Sequence, residues 1–292
     1  MTLATFLERA RKEKWAVGHF NVSELDQMRA IAEACRDAAA VSMIGTSEGE
    51  RTHFGLREAV AIRDVLCGEF GIPLFLNADH SKSVETAKAA IDAGYDSVHI
   101  DLSALPLGEN IAGTKEVAEY ARATSDKRPA TSLHVEGELG YLRGESRVQK
   151  GKIEIRPEDL TDPDEAARFV KETGVDRLAI AVGNSHGISF DEPRIDIARI
   201  AAVRSAIPEN VSLVLHGGSG IPDSDIRAAI AAGISNVHIN TELRVAYVDA
   251  LRASLTEHLD EAAMYKLDAS AMEALKKVVM EKLNIFGATN KI

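Results

Sequence analysis

Eight short apolar segments alternate with helical patterns along most of the chain, and this alternation limits the possible folds more than any other feature. The segments are rich in Val, Ile and Leu, as strands buried on both faces are. Several of the intervening helical segments open with Ser or Asp and close with Gly, which matches helix capping chemistry. The eight predicted strands are 15–21, 41–47, 73–79, 96–101, 131–137, 176–183, 211–217 and 235–240.

Strands that alternate regularly with helices predict a (β/α)8 TIM barrel, formed as a single domain over residues 1–292. A doubly wound open sheet is the alternative, but it needs a glycine-rich turn after an early strand, and GxGxxG is absent there. The extra helical patterns in about the last 50 residues exceed what eight βα units need. We expect these C-terminal helices to cover a barrel face or to serve an oligomer interface.

One connection is long, charged and glycine-containing, and it spans residues 137–162. Long connections inside compact domains are often lids or active-site loops, so we predict such a loop here. The stretch KIEI at 152–155 within it is a candidate for a small hairpin with neighbouring residues.

Composition excludes several classes of partner. The 292 residues are 45% apolar, enough for a large core, and the formal charge of −11 argues against nucleic acid, which requires clustered Lys and Arg. The N-terminal segment has no continuous apolar core, and no stretch of about 18 apolar residues occurs, so we expect a cytoplasmic protein with no membrane association. Cys35 and Cys67 lie in helical patterns outside any CxxC spacing, which favours buried or half-buried thiols.

Polar residues mark the end of every predicted strand. Strand ends need neither carboxylates nor imidazoles for packing, and a barrel brings all of its strand ends to one face, so we predict an active site there. Seven of the nine histidines also lie on or just after these strands. The strand-end residues are Asn21, Ser47, Asp79 with His80, Asp101, Glu136 with Glu138, Asn184 with His186, His216, and Asn240 with Thr241.

Three of the strand-end histidines are candidate ligands of a single Zn²⁺ with an open position for substrate, as in catalytic zinc sites. They are His80, His186 and His216. Three others lie inside strand patterns, which favours structural hydrogen bonding over direct ligation, and these are His99, His134 and His238.

Two segments are suited to binding a phosphate group. HGGSG at 216–220 places glycines and a serine after the seventh strand, and HINTE at 238–242 ends the eighth strand and opens a helix. Backbone amides freed by glycine and a helix N-terminus both favour an anion, and many barrels bind phosphate at these two loops.

Longer stretches of the chain resemble the class II, metal-dependent ketose-bisphosphate aldolases, which cleave fructose 1,6-bisphosphate or tagatose 1,6-bisphosphate. The resemblance extends from the N-terminal GHFNVSELDQMRAI to the helix that begins with NTEL. Its specificity lies in the combination of four stretches, NADHSKSVETAKAAIDAGYDSVHID, VEGELG, TDPDEAARFVKETGVDRLAIAVGNSHG and LVLHGGSGIPDSDIRAAIAAGISNVHINTEL.

The resemblance implies a role for each matching residue. His80, His186 and His216 match the zinc ligands, and Glu138 matches a carboxylate that approaches the metal in some members. Asp79 matches the acid/base that handles the C4 hydroxyl of the ketose. The positions that match the rest of the substrate pocket, most of them around dihydroxyacetone phosphate, are Asn21, Ser47, Gly187, Gly217, Gly218, Ser219, His238, Asn240 and Thr241.

The resemblance also implies an assembly and a reaction. Members are usually homodimers or homotetramers and often bind a monovalent cation near the phosphate. Zn²⁺ polarises the C2 carbonyl while Asp79 takes the C4 hydroxyl proton. No Schiff-base lysine is required, and the eight predicted strands contain no lysine.

The chain departs from the family pattern at several site positions. Members commonly carry a loop glutamate that moves the proton on the dihydroxyacetone phosphate carbon, and Ser146 stands there, so we take the adjacent Glu145 as the catalytic substitute. His238 replaces an asparagine that helps to hold the enediolate, and Asn236 replaces a lysine. The resemblance makes fructose 1,6-bisphosphate the leading substrate, but because of these departures tagatose 1,6-bisphosphate or a related ketose phosphate stays open. A barrel metal hydrolase and a sugar-phosphate-binding barrel without turnover are the alternatives outside the family.

Overall fold

The computed structural model describes residues 1–125, 133–189 and 194–292, and its centre is a closed barrel of eight parallel strands. Each barrel strand overlaps one predicted strand, which confirms the (β/α)8 barrel; Thr131 and Ser132 of the fifth predicted strand lie outside the described residues. The barrel strands are β1 (Val17–Asn21), β2 (Ser42–Thr46), β3 (Leu74–Ser81), β4 (Ser97–Ile100), β5 (His134–Leu139), β7 (Arg177–Ile180), β9 (Ser212–Leu215) and β10 (Ile234–Ile239).

Each barrel strand pairs with the next one along the chain, and β10 closes the barrel against β1. The helices surround this barrel. They are α1 (Leu3–Glu13), α2 (Leu25–Ala38), α3 (Glu48–Phe54), α4 (Leu56–Phe70), α5 (Val84–Ala93), α6 (Leu107–Ser125), α7 (Pro163–Thr173), α8 (Ile197–Ala206), α9 (Asp223–Ala232), α10 (Thr241–Glu257), α11 (Met264–Leu267) and α12 (Ala269–Ile285).

The strands are buried almost throughout because helices cover the outside of the barrel while inward side chains fill it. The surrounding ring runs α2, α4, α5, α6, α7, α8, α9 and α12, each in contact with the next, and α12 closes the ring against α2. The C-terminal helix is thus part of the barrel wall. Helix α10 contacts β6 (Gly144–Val148) and β8 (His186–Ile188), two short strands outside the barrel, so it covers part of one barrel face as expected.

The long connection at 137–162 is only partly irregular. Strands β6 and β8 form a two-stranded parallel sheet in which Gly144 pairs with His186. The KIEI stretch at 152–155 forms no strand, so the suggested hairpin there is wrong. The partner of the loop strand comes from the segment after β7, a pairing that local sequence patterns do not show.

Among the residues that the structure describes, no helix is both long enough and apolar enough to span a membrane.

Candidate active site

The carboxyl ends of the barrel strands surround one pocket, to which β6, β8 and the start of α10 also contribute. Most of the residues predicted for the site lie in its wall, although they are spread over more than 200 positions of the chain. The lining residues are Asn21, Asp79, His80, Ser146, His186, Gly187, His216, Gly217, Ser219, His238, Asn240 and Thr241.

The three predicted zinc ligands converge at this pocket from three different elements. The ring centroids of His80 and His216 are 4.8 Å apart, those of His80 and His186 are 4.9 Å apart, and those of His186 and His216 are 6.3 Å apart. His80 adopts a left-handed conformation, with φ +47°, where the β3–β4 register shifts. A non-glycine residue adopts this conformation uncommonly, and here it places the imidazole at the pocket near the end of β3.

Two of these histidines are oriented by buried carboxylates. His80 Nδ1 lies 2.7 Å from Asp101 Oδ2, and His216 Nε2 lies 2.6 Å from Glu136 Oε1. Metal-binding histidines usually hydrogen-bond a carboxylate or carbonyl through one ring nitrogen, which fixes the tautomer and leaves the other nitrogen as the ligand. The geometry of both side chains is therefore suited to ligation.

Buried polar atoms without hydrogen-bond partners also indicate a cation site. Such atoms around the pocket are Asp79 Oδ1, His99 Nε2, Glu138 Oε2 and His238 Nδ1. They face one another as imidazole–carboxylate pairs without hydrogen-bond geometry, His99 Nε2 at 3.3 Å from Glu138 Oε2 and His238 Nδ1 at 3.6 Å from Asp79 Oδ1. This concentration of buried donor atoms fits a group that the protein binds there. Nitrogen and oxygen donors from histidine and carboxylate are ligands that Zn²⁺ prefers.

The described part of the chain contains four overlapping sets of His, Asp and Glu in which the ligand atoms of each set lie within 4.8 Å of one another. Two sets contain His80, one with Asp79, His99 and His216 and the other with His99, Asp101 and Glu138. The other two contain His238, one with His19 and Asp79 and the other with Glu136 and His216. Glu138, a predicted ligand, thus lies beside His80. His99, for which we predicted a structural role, belongs to both sets that contain His80, whereas His186 belongs to none of the four.

Asp79 is placed to act as a base. Its Oδ2 accepts a hydrogen bond from Asn21 Nδ2 at 3.0 Å, and its Oδ1 lies 3.6 Å from His238 Nδ1. Burial alone raises the pKa of Asp79, but the neighbouring imidazoles, His80 first, outweigh it and hold the pKa well below its usual range. Asp79 is therefore ionised at neutral pH.

The two predicted phosphate loops meet at one side of the pocket. Ser219 Oγ accepts hydrogen bonds from the backbone N–H groups of Asn240 and Glu242, at 3.4 and 3.3 Å, so the glycine loop lies against the start of α10. Gly217 has φ +62°, and a Cβ there would lie 2.1 Å from Ser185 O, so this turn requires glycine. A glycine loop against a helix N-terminus is suited to binding an anion.

Two of the predicted substrate-binding residues, Ser47 and Gly218, do not line the pocket. Gly218 donates its N–H to His238 O at 3.0 Å, which fixes the loop to β10. Ser47 caps α3, and its backbone N–H donates to Glu50 Oε2 at 2.7 Å. Glu50 also accepts from Asn21 Nδ2 at 2.9 Å and pairs with Arg244 of α10, so Ser47 is linked to the pocket through Glu50.

Glu145 does not lie in the pocket. Successive residues of a strand point to opposite faces, and on β6 Ser146 lines the pocket. The Glu145 side chain is 71% exposed and lies on the other face, where it pairs with Arg147 at 3.2 Å. The catalytic role that we expected for Glu145 is not supported by this geometry.

Sequence reasoning missed the charged interior of the barrel below the pocket. Arg177 on β7 is completely buried, and its Nη1 lies 2.6 Å from Glu136 Oε2. It also contacts Asn236, the position where the resemblance leads us to expect a lysine. The available signal was a charged residue inside an otherwise apolar strand, since arginine is almost never fully buried unless paired.

A cavity of about 330 Å³ opens beside the pocket and shares Ser146 and Thr241 with it. Its remaining wall comes from β6 and α10. That wall contains three arginines, Arg147, Arg244 and Arg252. Each of these arginines is paired with a carboxylate, Arg147 with Glu145, Arg244 with Glu50 and Arg252 with Asp249, and Asp249 also lines the cavity.

The sequence model of the family described as fructose-bisphosphate aldolase class-II matches residues 1–291. The chain belongs to this family. Membership confirms the resemblance, and it implies a lyase. Among solved structures, the YdjI aldolase from Escherichia coli K12 is similar with a TM-score of 0.81 and 29% identity, covering 100% of this chain and 98% of that chain.

Two more distant structures share the fold. A putative fructose-1,6-bisphosphate aldolase from Coccidioides immitis has a TM-score of 0.83 at 24% identity, covering 99% of this chain and 97% of that one. The fructose-bisphosphate aldolase from Campylobacter jejuni has a TM-score of 0.80 at 19% identity, covering 99% and 95%.

Proposed function

We propose that this chain is a metal-dependent aldolase that reversibly cleaves a ketose bisphosphate to dihydroxyacetone phosphate and an aldehyde. Fructose 1,6-bisphosphate is the leading substrate, with glyceraldehyde 3-phosphate as the aldehyde. The observation that carries the proposal is the convergence of His80, His186 and His216 on a pocket that also contains Asp79 and a glycine loop at a helix N-terminus. Family membership supports the same reaction type.

Four residues would hold the metal ion, which we propose to be one Zn²⁺ per subunit. They are His80, His186, His216 and Glu138. The bound ion supplies a Lewis acid that polarises the substrate carbonyl. The carboxylates of Asp101 and Glu136 orient two of the imidazoles for this role.

Asp79 would remove the proton of the C4 hydroxyl as the C3–C4 bond breaks. The electron pair of that bond passes into the C2 carbonyl, and the aldehyde leaves. The resulting enediolate then takes up a proton at the former C3 carbon to give dihydroxyacetone phosphate. Asn21 holds Asp79 in place through its amide. His238 lies in the pocket wall with its Nδ1 3.6 Å from Asp79 Oδ1, where it would contact the oxygens of the three-carbon fragment.

The phosphate of that fragment would bind where the glycine loop meets α10. Gly187, Gly217 and Ser219 line this side together with Asn240 and Thr241. Their backbone amides and the helix N-terminus favour the dianion. Gly218 and Ser47 would contribute by holding the wall rather than by direct contact.

We propose a homodimer or homotetramer in the cytoplasm, with a monovalent cation near the phosphate. These three points rest on the resemblance to the family. The substrate is a phosphorylated sugar, and the net charge of −11 supports the prediction that nucleic acid is not a partner.

The deciding experiment is a coupled assay of fructose 1,6-bisphosphate cleavage, with and without chelator, on protein of measured metal content. Chelator-sensitive release of dihydroxyacetone phosphate is the expected result. If zinc-loaded protein leaves fructose 1,6-bisphosphate intact, tagatose 1,6-bisphosphate is tested next. Failure with every ketose phosphate would refute turnover and favour a barrel that only binds sugar phosphates.

A further inference from the structure

Arg177 places a guanidinium inside the barrel, directly beneath the pocket. The side chain is fully buried, and its Nη1 contacts both Glu136 Oε2, at 2.6 Å, and Asn236 Oδ1, at 2.7 Å. Its Nη2 donates to Asn77 Oδ1 at 3.0 Å and to Ser97. Four neighbouring side chains from four different strands thus fix the guanidinium in one orientation.

Glu136 connects this guanidinium to the pocket. The carboxylate is completely buried, with one oxygen on Arg177 and the other 2.6 Å from His216 Nε2. A carboxylate with an ion pair at one oxygen and a hydrogen bond at the other has little freedom to rotate. The tautomer and the tilt of the His216 ring therefore depend on a group that itself lies outside the pocket.

We propose that Arg177 is a positioning residue of the metal site. By pairing with one oxygen of Glu136 it keeps the other oxygen of that carboxylate aimed at His216 Nε2, so that the opposite nitrogen of His216 is presented to the metal. The inference rests on the proposed function, since it requires a metal at the pocket. It adds a residue that touches neither the metal nor the substrate.

A purely structural ion pair is the competing explanation. Replacing both partners of a buried pair with uncharged residues is often neutral for stability, whereas removing one partner is strongly destabilising. The pair alone therefore says little about why charge is retained here. Metal affinity separates the two explanations, because a structural role alone predicts no dependence of affinity on Arg177 once the protein is folded.

The first test compares R177M with the unaltered protein in zinc affinity, measured by competition with a chromophoric chelator. Methionine keeps the aliphatic part of the side chain and removes the charge. Loss of a group that orients a metal ligand weakens metal binding by about 10–100-fold, and that loss is expected here. The matched control is R63M, which breaks the buried pair of Arg63 with Asp96 away from the pocket and should leave zinc affinity unchanged.

Two double variants separate an effect on zinc affinity from an effect on stability. In R177M/N236K the new amine lies next to the vacated guanidinium position, beside Glu136, and zinc affinity should return to within several-fold of the original. In R177M/E136Q no unpaired charge is buried, so thermal stability should recover from that of R177M while zinc affinity stays low. Neither double variant buries an unpaired charge. Their zinc affinities can therefore be compared with that of the unaltered protein even where R177M is too unstable to purify.

The outcomes separate this inference from the proposed function. If the unaltered protein binds zinc and R177M binds it equally well, Arg177 is structural and the aldolase proposal stands. Full recovery of zinc affinity in R177M/E136Q would likewise overturn the positioning role. If the unaltered protein binds no divalent metal at all, the proposed function itself fails.

Discussion

Asp79 is the residue on which the proposed chemistry depends most directly. Substitution by alanine removes the base but none of the four proposed ligands, so D79A should retain zinc and lose about 10²–10⁴-fold in kcat, the range for a general base. Elemental analysis checks that zinc is retained, and the coupled cleavage assay checks that activity is lost. The matched variant D79N keeps the shape of the side chain and should lose activity to a similar degree. Full activity in either variant would contradict the role assigned to Asp79.

Glu145 provides a second test at a single residue, for which we expect almost no loss of activity. Its side chain is exposed on the face of β6 that points away from the pocket, so E145Q should change kcat by less than about threefold. Steady-state kinetics with the same substrate measure the effect. A loss of about 100-fold or more would show that Glu145 enters the pocket during the reaction and that the role expected from the sequence was right.

The reactivity of the two cysteines tests how deeply their side chains are buried. Cys35 is completely buried on α2, and burial raises the pKa of its thiol to about 12. Cys67 is half-buried, and burial also raises its pKa. At pH 8 both thiols are therefore protonated, and the folded protein should react slowly with a thiol-specific disulfide reagent, whereas denatured protein should release two equivalents quickly. A fast reaction of both thiols in the folded state would contradict this packing.

At the scale of elements, the pairing of β6 with β8 shapes one wall of the pocket. Gly187 on β8 has φ +88°, and a Cβ there would lie 2.2 Å from Arg147 O and 2.4 Å from Glu145 O. G187A should therefore force β6 away, lower kcat/KM by about tenfold or more through misplacement of pocket groups, and make the 144–153 segment sensitive to protease. The melting temperature should change little because the small sheet lies outside the barrel.

Gly151 offers the control within the same connection, since nothing lies within 4 Å of a Cβ built there. G151A should match the unaltered protein in kinetics and in protease resistance. Equal behaviour of G187A and G151A would show that the β6–β8 pairing has no part in the site.

The elements also show what sequence patterns can and cannot predict. The barrel strands are evident because strands buried on both faces are continuously apolar, and parallel strands bring all their carboxyl ends to one face. That is why Asp79, His80 and His216 could be assigned to one site. The face of β6 that carries Glu145 depends on pairing with β8, about 40 residues away. Likewise, the helical pattern of α12 does not reveal that it packs against α10, α2 and α9.

For the molecule as a whole, the apolar core and the pocket are separate sources of stability. A continuous cluster of buried apolar side chains joins the strands to the surrounding helices, while the proposed metal site lies at the carboxyl end of the barrel. The fold should therefore survive removal of the metal. Chelation should abolish cleavage but leave the far-ultraviolet circular dichroism spectrum of the folded state unchanged.

The same argument predicts a moderate fall in thermal stability after chelation. A metal present at 100 times its Kd stabilises the folded state by about 2.7 kcal/mol. For a domain near this size, that corresponds to a fall in Tm of about 5–10 °C, and added zinc should restore both Tm and activity. Complete unfolding after chelation would instead make the metal part of the folding core. An unchanged Tm together with undiminished cleavage would show that the reaction needs no metal and would remove the central element of the proposed mechanism.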